Sequence, residues 1–126
     1  MDENMNISNA EMKIMNQIWK TGTMMTVPEM QAILNEEGEE WAYQTVATFL
    51  RRLESKGILG VTKKGNKLCY FPMISEDQYK TNEAENFIDG KFDGSLKKFL
   101  VAFRGSDKID KNDINDLKAW LDELDD

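Results

Sequence analysis

Apolar residues recur at intervals of three and four positions in the first part of the chain, which is the spacing of helices that bury one face. The first predicted helix opens with Ser8 and Glu11 in a capping box, where side chains satisfy free backbone N–H groups. A second capping box, Thr26 with Glu29, opens the second predicted helix. The apolar stripes are Met12, Met15, Ile18 and Trp19 in the first helix, and Val27, Met30, Ile33 and Leu34 in the second.

A third helix is predicted from Ala42 to Lys56, because Gly57 favours its termination. Its core face consists of Val46, Phe49, Leu50 and Leu53. The opposite face is polar and basic and has no carboxylate; it comprises Gln44, Thr45, Ala47, Thr48, Arg51, Arg52 and Ser55. A helix face that meets only water usually mixes Glu with Lys, so this face is unusual.

Two runs rich in β-branched and aromatic residues follow, residues 58–63 and 67–71. The turn between them contains Gly65 and Asn66, residue types that tolerate positive φ, so the two runs predict a β-hairpin. The lysines of this turn are Lys63, Lys64 and Lys67. Three helices followed by a hairpin with a basic tip have the order of a winged helix-turn-helix.

Three further apolar stripes after residue 74 predict three short helices, opened by Ser75, Ser95 and Asp110. About 50 residues in short helices cannot bury these faces alone, so the faces either fold back on the first part or pack against a second copy. We expect a dimer, which would place two winged helices on a pseudo-palindromic site. The fold class is therefore mainly α with a hairpin wing, in a winged-helix domain over residues 1–74 and a helical dimerisation region over residues 75–126. The expected dimer contacts are Phe87, Leu96, Phe99, Leu100, Phe103, Ile114, Leu117 and Leu121.

Charge changes the functional picture. The chain has 16 Lys and Arg residues against 23 Asp and Glu residues, a net charge of −7, yet residues 41–73 hold six basic side chains and Glu54 as their one acid. A helix with Gln, Thr and Arg can read base edges in a major groove, while hairpin lysines neutralise phosphates. We predict binding to double-stranded DNA. The alternative is a winged-helix adaptor that binds a protein and has no specific DNA affinity.

Composition removes most enzyme chemistry. With no His and one Cys, the chain has no imidazole base, no intrachain disulfide and no Cys-based zinc site. We expect no enzyme activity, no cofactor and no metal. Cys69, on the second strand, is interpreted as a small half-buried apolar side chain, and the alternative is a thiol sensor beside Lys67.

Targeting features are also missing from the sequence. The first 13 residues are polar and acidic, unlike a signal peptide, and no run approaches the roughly 18–20 apolar residues that span a bilayer. We expect a cytoplasmic protein without membrane insertion.

Several motifs in order resemble the BlaI/MecI penicillinase-repressor family, which includes CopY-type copper repressors. The opening Ile7-Ser8-x-Ala10-Glu11 leads to Met15-x-x-Ile18-Trp19. The third helix carries Trp41-x-x-x-Thr45-Val46-x-Thr48-x-Leu50-x-Arg52-Leu53-x-x-Lys56-Gly57, and the hairpin ends in Tyr70-x-Pro72. The later matches are Phe92-x-Gly94-Ser95-Leu96 and Asp113-Ile114-x-x-Leu117. The resemblance extends from about residue 7 to residue 121.

The resemblance implies a homodimeric transcriptional repressor on a two-fold operator, controlling genes of the β-lactam-resistance type. In the antibiotic-resistance members, a membrane receptor with a metalloprotease domain senses the drug and the repressor is cut in a C-terminal helix. A sensor-linked protease is therefore a candidate partner, and Ala102-Phe103 is the candidate proteolytic site. The family pattern implies Thr45 and Thr48 at the major groove, with Arg52 and the wing lysines at phosphates. Together with their neighbours on α3, the DNA-binding residues are expected to be Tyr43, Gln44, Thr45 and Thr48 at bases, and Arg51, Arg52, Lys63, Lys64 and Lys67 at phosphates.

Departures from the family pattern change some of these expectations. Gln44 stands where the classical repressors carry Lys, and Ala47 where they often carry a longer polar residue, so the preferred operator can differ. The cleaved bond of those repressors is Asn-Phe, whereas Phe103 here follows Ala102. Phe103 also lies on the apolar stripe of its helix, so a packing role explains this residue at least as well as a cleavage site does. The Cys-x-Cys pairs of the copper repressors are missing, which argues against copper or zinc sensing.

Overall fold

The computed structural model describes residues 6–124, in which six helices and one two-stranded antiparallel sheet follow the predicted order. The elements are α1 Asn9–Thr21, α2 Val27–Glu36, α3 Tyr43–Ser55, β1 Leu59–Lys64, β2 Lys67–Pro72, α4 Glu76–Lys91, α5 Leu96–Arg104 and α6 Lys111–Leu124. The chain divides into two compact units, of which the first ends at Asn82 and the second begins at Glu83. The predicted class, mainly helical with a hairpin wing, is confirmed.

Both predicted capping boxes at the first two helices are present. At α1 the Glu11 N–H donates to Ser8 Oγ at 3.1 Å, and the Ser8 N–H donates to Glu11 Oε1 at 2.9 Å. At α2 Thr26 and Glu29 make the same reciprocal pair at 3.3 and 2.9 Å. Such caps each contribute roughly 1 kcal/mol to helix stability, so these two helix starts are fixed by local sequence.

The core of the first unit lies between α1, α2, α3 and the base of the hairpin. Side chains with no exposed surface come from each of these parts, including Ile14, Ile18, Leu50 and Ile58. Two positions correct the sequence interpretation. Ile14 is fully buried although the predicted stripe of the first helix omitted it, and Ala47, placed on the polar face, is only 5% exposed. Ala47 precedes the fully buried Leu50 by three residues, so it borders the core face of α3.

The hairpin of β1 and β2, called the wing below, pairs Leu59 with Pro72 at its base and Lys64 with Lys67 at its tip. Each strand extends one residue beyond its predicted end. The wing is also joined to the connection between α1 and α2, because Met25 and Tyr70 exchange two backbone hydrogen bonds of 2.8 and 2.9 Å. The base of the wing is therefore part of the folded unit.

One ion pair inside the first unit joins two helices that are distant in sequence. Lys56, the C-cap of α3, donates to Glu11 Oε1 at 2.7 Å and to the backbone oxygen of Asn6 at 2.9 Å. The Glu11 side chain is only 2% exposed. Burial alone would raise the pKa of the Glu11 carboxyl, but hydrogen bonds from Lys56 and Ser8 and the Lys56 charge hold the pKa below its ordinary value. Glu11 thus caps α1 and also connects it to α3.

The start of α4 is anchored to α1 within the same unit. The Trp19 indole N–H donates to the backbone oxygen of Ile74 at 3.0 Å, and the Trp19 and Tyr79 rings lie 5.7 Å apart. Tyr79 is buried. The first turns of α4 therefore belong to the core that the winged helix forms.

The second unit has a different character, since none of residues 83–124 is buried. It contains an aromatic cluster of Phe87, Phe92, Phe99 and Phe103, whose neighbouring ring centroids lie 5.4–5.9 Å apart. Apolar side chains beside it stay open to solvent, with Leu96 58% and Leu124 60% exposed. The apolar stripes of α5 and α6 are thus not covered by a core of their own unit.

Candidate nucleic-acid interface

The face of α3 opposite the core is held open to solvent by the packing beneath it. Val46, Leu50 and Leu53 are fully buried and fix the rotation of the helix about its axis. On the other side Gln44, Thr45, Arg51 and Arg52 are exposed and Thr48 is half-buried. Five of the six predicted α3 site residues therefore share the side of the helix that is available to a partner. Tyr43 is exposed in the first turn, but it precedes the buried Val46 and Ala47 by three and four residues and so lies on the other side.

Part of this face is organised by contacts between its own side chains. Gln44, Thr45, Thr48, Phe49 and Arg52 line one shallow depression of about 300 Å³. The Arg52 guanidinium lies 5.5 Å from the centre of the Phe49 ring, a distance typical of a cation–π contact. Arg51 Nη2 donates to Thr48 Oγ1 at 3.4 Å. The structure thus brings three of the predicted base-reading residues together with Arg52.

A second depression, called the α3–wing groove, separates α3 from the wing and has a volume of about 450 Å³. It joins the N-terminus of α2, the exposed start of α3 and the wing strand β2. Its polar, charged and aromatic lining residues are Thr26, Glu29, Tyr43, Gln44, Arg51, Asn66, Lys67 and Tyr70. Burial raises the pKa of the Tyr70 phenol, so this side chain is neutral at physiological pH. The groove is also lined by two exposed cations, Arg51 from α3 and Lys67 from β2.

The five predicted phosphate-binding residues form no ion pair with another residue of the described range. Four ion pairs occur within residues 6–124, and their cations are Lys13, Lys56, Lys80 and Lys98. None of Arg51, Arg52, Lys63, Lys64 and Lys67 takes part in these pairs, and all five are exposed. Exposed cations that form no ion pair gain most from an anionic partner, because no internal ion pair has to be broken.

The three wing lysines differ in their position relative to the α3–wing groove. Lys64 and Lys67 are directly paired beside the turn, while Lys63 is paired with Leu68. Lys67 lines the α3–wing groove, whereas Lys63 and Lys64 do not. Cys69, on the same strand, is 8% exposed, so it is more buried than the half-buried position expected for it. The wing therefore presents lysines at its tip and along one wall of the groove.

The predicted dimer contacts all lie in the second unit. Four of them are at least 40% exposed, namely Phe87, Leu96, Phe103 and Leu121, and the other four, Phe99, Leu100, Ile114 and Leu117, are half-buried. Ala102 and Phe103 lie inside α5, where the Phe103 ring stacks on Phe99 with an interplanar angle of 8°. The candidate proteolytic bond thus belongs to a regular helix and to the aromatic cluster.

Residues 6–124 offer neither a membrane-spanning helix nor a metal-binding cluster. None of the helices there has the length and apolar character that a bilayer crossing requires. No three carboxylate or thiol side chains in that range are grouped so as to hold a metal ion.

Comparison with known proteins gives the family. The sequence profile described as penicillinase repressor matches residues 7–123. This chain belongs to the penicillinase repressor family. The penicillinase repressor of Bacillus licheniformis is 30% identical over 117 residues, which cover 93% of this chain and 90% of that protein. The resemblance expected from the sequence motifs is confirmed.

A solved structure supports the fold of this family member. The solution structure of the DNA binding domain of the repressor BlaI is 35% identical and superposes with a TM-score of 0.52. The match covers 59% of this chain and 88% of that domain. The winged-helix architecture predicted from three helices and a basic hairpin is therefore confirmed.

Sequence reasoning missed part of the groove. Glu29 was interpreted only as a helix cap, and Asn66 only as a turn residue, yet both line the α3–wing groove. The available signal was the chain order, since the two helices of a helix-turn-helix, here α2 and α3, follow each other across a short turn. That signal predicts that Glu29 lies near α3, but it does not predict that the wing approaches both of them.

Proposed function

We propose that this chain is a DNA-binding transcriptional repressor whose α3 enters the major groove while the wing lies along the backbone. The observation that carries the proposal is the exposed face of α3 and the wing, on which five cations have no acidic partner in the described residues. The family membership and the likeness to a repressor's DNA binding domain support it. Genes of the β-lactam-resistance type are the proposed targets, by analogy with the penicillinase repressor of the relative.

The residues divide into two roles by side-chain chemistry. Tyr43, Gln44, Thr45 and Thr48 can donate to and accept from base edges, and they occupy the first turns of α3. Arg51, Arg52 and the three wing lysines carry positive charge and are assigned to phosphates. Gln44 lines both depressions. It is therefore the side chain placed to contact a base beside the DNA phosphate backbone that is proposed to occupy the α3–wing groove.

The second unit supplies the proposed homodimer contact. Its amphipathic helices leave large apolar side chains exposed in one protomer, which is energetically unfavourable unless a second surface covers them. Two copies related by a two-fold axis would present two α3 helices to a pseudo-palindromic operator. Cleavage of Ala102–Phe103 by a sensor-linked protease is the proposed route of release, because it would cut the aromatic cluster and separate α6 from α5.

Fluorescence anisotropy tests the DNA proposal. The full chain is titrated onto its own upstream DNA and onto a scrambled duplex of the same length and composition. At near-physiological salt, we expect the chain to bind the native duplex at least about 10³-fold more tightly than the scrambled duplex. Equal and weak binding to both duplexes, followed by a genome-wide binding search without enriched sites, would favour the protein-binding adaptor.

Two variants separate the two roles. Arg52→Ala is expected to weaken binding to native and scrambled duplexes alike and to lower the salt slope by about one unit, because one phosphate contact is lost. Thr48→Ala is expected to change which base is preferred at one operator position, by about 1–3 kcal/mol. Unchanged affinity in both folded variants would contradict the assignment of this face.

A further inference from the structure

The α3–wing groove contains a charge of the wrong sign for a DNA surface. Arg51 and Lys67 line the groove, and so does Glu29, from the first turn of α2. Glu29 forms none of the four ion pairs found within residues 6–124. A backbone that follows the groove to reach Arg51 and Lys67 therefore passes a carboxylate without a counter-ion.

One hydrogen bond holds this carboxylate in place, and a second completes the capping box. Glu29 Oε1 accepts from the Thr26 N–H at 2.9 Å, and Thr26 Oγ1 accepts from the Glu29 N–H at 3.3 Å. Moving the side chain away from the groove would break the capping box at the start of α2. An approaching phosphate thus cannot relieve the repulsion by rotating the side chain unless the helix start also loses the hydrogen bond from the Thr26 N–H.

We propose that Glu29 is an affinity-limiting residue, whose fixed carboxylate in the α3–wing groove repels the phosphate backbone and weakens binding to every duplex. The inference rests on the proposed function, because it requires DNA to occupy this groove. The repulsion acts on the backbone and not on base edges, so it is independent of sequence. Because of this repulsion, complexes without base contacts dissociate quickly. Stable complexes then require the base contacts of α3.

Glu29→Gln removes the charge and keeps the cap, because Gln also serves at this position of a capping box. Glu36→Gln is the matched control, since it removes the same charge from the other end of α2, about 10 Å or one Debye length farther along the helix axis. Lys67→Ala reports independently on whether DNA occupies the groove. Circular dichroism melting confirms that each variant is folded.

The experiment measures the dissociation constants of the full chain and the three variants by anisotropy, on a labelled scrambled duplex and on the upstream duplex. At about 0.1 M salt we expect Glu29→Gln to bind both duplexes about two- to fivefold more tightly, Glu36→Gln to be unchanged, and Lys67→Ala to bind more weakly. The gain should shrink as salt screens the repulsion.

Two results overturn the inference in distinguishable ways. If Lys67→Ala weakens binding while folded Glu29→Gln binds no more tightly than the unaltered chain, DNA occupies the groove and Glu29 does not limit affinity. If neither variant changes affinity, the backbone does not follow the groove, and the proposed DNA-binding face fails together with the inference. A tightening confined to one duplex would contradict a purely backbone effect.

Discussion

Both units of the chain are built from amphipathic helices, but only the first covers their apolar faces. In the first unit Ile14, Ile18 and Leu50 have no exposed surface. In residues 83–124 no side chain is buried, and Leu96 and Leu124 keep more than half of their surface in solvent. The same periodic pattern therefore has two outcomes, depending on whether enough neighbouring elements meet.

The difference shows what an amphipathic stripe specifies. It fixes which face of a helix must be covered, but not whether the same protomer covers it. The first unit has three helices and a hairpin around one core, which gives every stripe a partner. The second unit has only the end of α4, α5 and α6, and burial scales unfavourably for so small a set. Variants in the two units should therefore behave differently.

The largest expected effect is a cavity in the first unit. Leu50→Ala removes a fully buried side chain of α3 and should lower the free energy of unfolding by about 2–5 kcal/mol. The same substitution at Leu124, which is 60% exposed, should lower it by less than about 0.5 kcal/mol in dilute protein. Urea unfolding followed by circular dichroism measures both. Similar losses at the two positions would erase the contrast between the units.

A charge on the apolar stripe of α6 should act on association instead of on the fold. Leu117→Asp places a carboxylate on the proposed dimer contact, and we expect the dimer dissociation constant to rise by about a hundredfold, the equivalent of roughly 2–3 kcal/mol of apolar burial. Sedimentation equilibrium measures this constant.

The exposed neighbour Asn115 supplies the control for that experiment. Asn115→Asp adds the same charge two residues away without removing an apolar contact, so it should leave association nearly unchanged. The first unit should keep its melting behaviour in both variants. A dimer that survives Leu117→Asp would place the contact elsewhere.

The smallest effect compares two ion pairs of similar length. Lys56–Glu11 and Lys98–Asp93 measure 2.7 and 2.8 Å, but Glu11 is 2% exposed and Asp93 is 81% exposed. Glu11→Gln keeps the capping box and should lower the free energy of unfolding by about 1–2 kcal/mol at neutral pH. Asp93→Asn should change stability very little, because water screens the exposed pair.

The pH dependence of Glu11→Gln has a definite sign. The pKa of Glu11 is lower in the folded chain than its ordinary value of 4.5, so its contribution is complete above that value. It disappears as the pH falls through the lower pKa of the folded state. Stability curves of the unaltered chain and the variant should therefore converge in acid. A difference that grows below pH 4.5 would contradict this assignment.

The parts of the fold that were predictable are the local ones. A capping box spans four residues, so Ser8 with Glu11 and Thr26 with Glu29 were identified by spacing alone, and the structure contains both. The hairpin was likewise predicted from its turn residues. Ile14 was missed because Glu11, three residues before it, lies on the same buried face of α1. A carboxylate at that position interrupts the apolar pattern.

The parts that were not predictable depend on distant residues. The partner of Glu11 is Lys56, 45 positions away, and no local pattern connects them. The α3–wing groove likewise requires α2, α3 and the hairpin to meet, so Glu29 could be recognised as a cap but not as a groove residue. The exposed polar face of α3 was predictable because the periodicity of one helix assigns its exposed positions, and the role of that face in DNA binding stays a prediction.

The exchange of backbone hydrogen bonds between Met25 and Tyr70 has a thermodynamic consequence for association. A hairpin joined to the rest of a domain only through its own ends would have to be ordered when it meets a partner, and the lost conformational entropy would subtract from affinity. Here the base of the wing is already ordered in the free chain, with Tyr70 held against a second segment. Ordering this part of the wing then adds no entropy loss on association, so the base of the wing is pre-organised.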